Sequence, residues 1–62
     1  MTPEEIDAQL TAWEASGTYT CAELQAFCTA NWSHMTVAQR QRLAALAAAH
    51  DPPCQLSIPV CH

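Results

Sequence analysis

The cysteine spacing constrains this chain more than any other feature. Cys21 and Cys28 stand seven apart within a helical pattern, and Cys54 and Cys61 repeat that spacing in a proline-bearing tail. At about 1.5 Å rise and 100° per residue, helical positions seven apart share nearly one face, about 10.5 Å apart along the axis. A disulfide needs Cα atoms within about 7 Å, so Cys21 and Cys28 cannot bond each other while the helix is intact. Four cysteines allow three pairings. The two that remain both tie the helix to the tail. An antiparallel third helix returns the chain to the start of the second, which favours Cys21 with Cys54 and Cys28 with Cys61. The crossed pairing, Cys21 with Cys61 and Cys28 with Cys54, is the second choice, and it requires the tail to double back.

Such straps matter because the core is thin. A chain of 62 residues makes one domain, and a domain of that size buries only about 60% of the surface its unfolded form exposes. Half the residues are hydrophobic, but many are alanine. A disulfide closing a loop of about thirty residues contributes about 3 to 4 kcal/mol in the chain-entropy model, enough to decide whether so small a body folds.

Three helix starts carry the same signal. Thr2-Pro3-Glu4-Glu5, Thr20-Cys21-Ala22-Glu23 and Thr36-Val37-Ala38-Gln39 each read as a capping box, with the Thr hydroxyl accepting from the third helical N–H and the Glu or Gln reaching back. Pro3 falls at the first helical position, where its missing N–H costs nothing. Met1 and Tyr19 precede the first two caps and stand five residues before Ile6 and Leu24, as in a hydrophobic staple. The expected helices are about 3–16, 21–32 and 37–49. Gly17 serves as a left-handed cap after the first, and Pro52-Pro53 forbids continuation of the third. Their apolar stripes are Ile6, Leu10 and Trp13; then Cys21, Leu24, Phe27, Cys28 and Asn31; then Leu43, Leu46, Ala47 and His50. Short connections favour antiparallel neighbours. The fold class expected for residues 1–62 is therefore all-α, a three-helix unit with the tail, 51–62, packed on it. Apolar residues alternate from Cys54 to Val60, but Pro59 cannot donate to a ladder, so an irregular segment is expected rather than a strand.

Metal binding is the competing use of the cysteines. Zinc sites favour ligands two to four residues apart, and one ion cannot reach both Cys21 and Cys28. A set of Cys54, Cys61, His62 and His50 is the remaining option, and free buried thiols are a third. The expectation is two disulfides, no metal and no cofactor.

Composition narrows the function. Net charge is −4, there is no lysine, and Arg40 and Arg42 are the only permanent cations. Affinity for nucleic acid rests on Lys and Arg contacts to phosphate, so nucleic acid is not an expected partner. A helix-turn-helix reading with Gln39, Arg40, Gln41 and Arg42 opening a recognition helix is the weakest alternative, because Arg40 and Arg42 diverge by roughly 200° and no basic patch flanks them. No apolar run is long enough for a bilayer span, and the first residues lack the basic and apolar regions of a signal peptide. The chain thus reads as cytoplasmic, whereas its cysteine usage fits an oxidising compartment or secretion. Nothing resembles a catalytic set: there is no Cys-x-x-Cys motif, and the cysteines face the core.

The reading that follows is a non-catalytic protein-binding or inhibitory module with an acidic face, comparable in size and charge to small phage-encoded inhibitors. Its partner is another protein with a basic surface, met by Glu4, Asp7, Thr11 and Glu14 on the first helix, with Trp13 as a nearby aromatic and Arg40 reaching a carboxylate of the partner or of the first helix. A secreted disulfide-stabilised mini-protein is one alternative. A precursor with a helical leader and a cysteine-bearing C-terminal peptide is another.

Overall fold

A computed structural model of the chain describes residues 1–58. It contains three α-helices, α1 (Pro3–Ser16), α2 (Cys21–Asn31) and α3 (Val37–Ala49), with one 3₁₀ turn, Trp32–His34, between α2 and α3. The expected second helix therefore ends one residue early. Its last turn tightens into the 3₁₀ turn, a common way for a helix end to satisfy its last carbonyls.

The caps explain where the helices begin. Thr2 and Thr36 form full capping boxes with Glu5 and Gln39. Thr20 departs from the expected reciprocal pattern. Its hydroxyl oxygen accepts from the Glu23 N–H and the same hydroxyl donates to the Glu23 carboxylate, so the carboxylate pairs with the side chain instead of the Thr20 backbone. Gly17 closes α1 at φ 66°, and its N–H donates to the Trp13 carbonyl. A Cβ there would meet open space, so glycine is required by the backbone conformation alone. Met1, expected to staple onto Ile6, is exposed.

The core joins Ile6, Leu10 and Trp13 of α1, Leu24, Phe27 and Cys28 of α2, Met35, and Leu43, Leu46 and Ala47 of α3. Ile6, Leu10, Leu24, Leu43 and Cys28 are fully enclosed. Trp13 meets Phe27 edge-on at 5.2 Å between ring centroids, a favoured aromatic geometry. Polar groups inside are satisfied: the Asn31 amide donates to the Phe27 carbonyl, and the buried Gln39 amide donates to the Pro3 carbonyl at 3.1 Å while its oxygen accepts from the Thr36 N–H. Gln39 thereby holds the starts of α1 and α3 together. These two helices run parallel, with α2 antiparallel between them in sequence.

Beyond α3 the chain is irregular as far as Ile58. Carbonyls that the helix end leaves open find partners from two segments: Cys54 N–H of the tail donates to Ala47 O, and the Leu46 carbonyl accepts both the His50 N–H and the hydroxyl of Tyr19, from the connection between α1 and α2. Cys54 and Leu56 pack against the core. The Asp51–Pro52 peptide is cis.

Candidate functional site

Two polar constellations stand out, one on the α1–α3 seam and one between α2 and the tail. On the first, Glu4, Asp7, Thr11 and Glu14 lie at helical spacing along one exposed face of α1. Arg42 reaches across from α3 and binds three of them. Its guanidinium pairs with Asp7 and Glu14 and donates to the Thr11 hydroxyl at 3.0 Å. The pairing has an electrostatic signature: the guanidinium holds the Glu14 carboxyl below its usual range, and the two carboxylates push the Arg42 pKa up. The expected partner patch is thus already occupied in part by the protein's own cation.

Two further expectations change. Trp13 is a core residue, 8% exposed, whose ring packs edge-on against Phe27. Arg40 does not reach α1. Its Nε and Nη2 donate to the Trp32 carbonyl, at 3.1 and 2.7 Å, and its guanidinium carbon lies 4.6 Å from the Trp32 ring centroid. A cation in the first turn of α3 opposes that helix's own macrodipole. Swung back over the end of α2, the same charge complements the negative end of a different helix and gains a cation–π contact. Of Gln39, Arg40, Gln41 and Arg42, only Gln41 is exposed, and the other three are spent on internal contacts.

The second constellation is the clasp of the tail on α2. Cys21 and Cys54 are bonded, with Cα atoms 5.6 Å apart, as topology favoured. This excludes the crossed pairing, because Cys54 can have only one partner. Among the described residues no second strap is present: Cys28 is a free, buried thiol, with its sulfur 4.0 Å from the Ser57 carbonyl. Its expected partner Cys61 lies outside the described residues, as does His62. Burial pushes the Cys28 thiol up, which favours the protonated, unreactive form.

Gln25 completes the clasp, a contact that sequence reasoning missed. Its amide oxygen accepts from the Ser57 N–H at 2.7 Å and its amide nitrogen donates to the Ser57 carbonyl at 3.0 Å. One side chain therefore satisfies both backbone groups of a tail residue, as a neighbouring strand would. The signal was available: Cys21, Gln25 and Cys28 follow one another at i, i+4 and i+7, so a tail running between the cysteines must pass Gln25. At the top of the clasp, His50 Nδ1 lies 2.8 Å from the Pro52 carbonyl and 3.8 Å from Cys21 Sγ, and its ring stands 5.7 Å from Tyr19. A carbonyl can only accept, so the His50 tautomer in this arrangement carries its proton on Nδ1. Beside the clasp, Trp32, Ala44, Ala48, Pro53, Leu56 and Ile58 line an open apolar groove of about 370 Å³.

Comparison with protein families, curated proteins and solved structures found no match to this chain. Among the described residues no helix is long and apolar enough to cross a membrane. The Cys21–Cys54 disulfide is compatible with an oxidising compartment.

Proposed function

We propose that the chain is a non-catalytic protein-binding module that occludes a basic site on another protein through the exposed face of α1. The observation that carries this reading is the internal use of both arginines. Arg40 is committed to the Trp32 carbonyl and Arg42 to α1, so neither is left to balance the six carboxylates elsewhere on the surface. On the α1 face, two carboxylates against one guanidinium leave net negative charge. Glu4 adds to it one turn earlier. An uncompensated field of this kind steers a positively charged surface and fixes its register more than it raises raw affinity. Two features support the absence of catalysis: Cys21 and Cys54 are consumed by their bond, and Cys28 is buried with its thiol held protonated.

The test is capture from host extract by the immobilised chain, compared with Glu4→Lys/Glu14→Lys, with helicity measured to verify that the variant folds. The expected partner is basic, its capture falls steeply with ionic strength, and the double reversal abolishes it. A photo-crosslinking residue at Thr11 should label the same protein. Retention of the partner through the reversal overturns the reading and favours the alternative, a disulfide-stabilised mini-protein with no partner encoded on α1.

A further inference from the structure

The disulfide joint contains a third soft donor. One ligand atom from each of Cys21, Cys54 and His50 lies within 4.8 Å of the other two, and all three residues are half-buried. We infer that, when the Cys21–Cys54 bond is reduced, this trio binds a single zinc ion, so that disulfide and metal are alternative closures of the same joint.

The geometry favours it on three counts. First, the backbone brings the donors together by means other than the sulfur–sulfur bond: Cys54 N–H is held by Ala47 O at 2.9 Å, His50 N–H by Leu46 O at 3.1 Å, and Cys21 is the first residue of the capped helix α2. Second, the Cys21–His50 spacing already fits an ion, and the two sulfurs need only separate once their bond is reduced. A tetrahedral ion with Zn–S of about 2.3 Å and Zn–N of about 2.0 Å holds its ligand atoms roughly 3.5 to 3.8 Å apart. Cys21 Sγ and His50 Nδ1 are already 3.8 Å apart. Third, the donor set suits the ion. Two thiolates and an imidazole match zinc's borderline softness, and the two negative charges cancel its charge. The set differs from one drawn on Cys54, Cys61, His62 and His50, because Cys21 at the helix start takes the place of the last two residues. It also respects the exclusion of one ion from Cys21 and Cys28 together.

The exchange balances. A dithiol reductant supplies two electrons and two protons, the sulfur–sulfur bond breaks, two thiols form, and the reductant is oxidised to its own disulfide. Zinc then displaces both thiol protons to solvent. His50 coordinates through Nδ1 after moving its proton to Nε2, which gives up its hydrogen bond to the Pro52 carbonyl, an exposed group that water can satisfy. Water takes the fourth position.

The full chain carrying Cys61→Ser, reduced with a phosphine, provides the test. Titration with Co²⁺ should end at one equivalent, with sulfur-to-cobalt charge transfer and the intense visible bands of a tetrahedral ion, and Zn²⁺ should displace the cobalt. Adding His50→Ala should weaken binding by more than the roughly 10- to 100-fold that loss of an outer-shell partner costs. Zinc should raise the melting temperature of the reduced chain and leave that of the oxidised chain unchanged. Absence of the tetrahedral spectrum, equal affinity in the His50→Ala chain, or binding without a rise in melting temperature each overturns the inference. The last outcome identifies capture by the unfolded chain.

Discussion

The seam between α1 and α3 and the seam between α2 and the tail solve the same problem with different chemistry. Both join segments far apart in the chain. The first uses two buried stripes, the Gln39 amide and a half-buried arginine bridging Asp7 and Glu14. The second has little apolar area to offer beyond Cys54 and Leu56, and it relies on a covalent bond and a single glutamine. The difference follows from what each partner can bury. Two helices present continuous apolar faces, whereas an irregular tail exposes backbone N–H and C=O groups that must find partners, so it needs side chains that mimic a strand and a cross-link that limits the freedom of the unfolded chain.

Removing the bond should have the largest effect. Cys21→Ser/Cys54→Ser opens a crosslink of sequence separation 33 and is expected to lose about 3 to 4 kcal/mol in urea unfolding. A loss below about 1 kcal/mol would put the two seams on an equal footing and break the comparison. Next is Gln25→Ala, which strips both partners from Ser57 and should remove about 1 kcal/mol. Hydrogen exchange at the Ser57 amide should accelerate while Leu24 and Leu43 stay protected. Loss of protection across all three helices would show that the tail is part of the cooperative core. The smallest effect belongs to Arg42→Ala on the exposed seam, where screening by solvent keeps ion pairs weak. Its sign with pH is fixed. The folded-state pKa of Glu14 is lowered, so the pair's contribution is present above the unfolded carboxylate value of about 4.3 and is lost as pH falls through the folded one. Melting temperatures of wild type and Arg42→Ala should therefore differ near neutral pH and converge in acid.

Much of this architecture was legible in the sequence because its signals are local. Thr2, Thr20 and Thr36 mark helix starts, Gly17 and Pro52 mark stops, and the stripes through Ile6, Leu24 and Leu43 identify the buried faces. Helix spacing and direction together favoured the Cys21–Cys54 bond over the crossed pairing. What escaped prediction depends on how the helices are rotated against one another. Arg40 and Arg42 are two residues apart on one helix, and which of them faces α1 is settled by packing of Leu43 and Leu46 into the core. That rotation sends Arg42 to Asp7 and Glu14 and Arg40 to the end of α2. The acidic stripe of α1 is exposed, but the cation that reaches it is Arg42 and not Arg40, because nothing in the stripe's own sequence reveals which arginine arrives. Gln39 was recognised as a capping residue, and its second contact, to the Pro3 carbonyl, is again a property of two helices.

The parallel course of α1 and α3 also has a practical side. Gln39 binds the Pro3 carbonyl at one pole, while the start of α2 and the end of α3 meet at the other, where Cys21 is joined to Cys54. The fourteen residues of α1 separate the poles by about 20 Å at 1.5 Å per residue. Anything joined at Met1, whether a bead, a dye or a fused domain, therefore hangs from the end remote from the disulfide. The joint stays open to reductant, metal and solvent, and Glu4 and Glu5 are the acidic residues that such a tether would crowd.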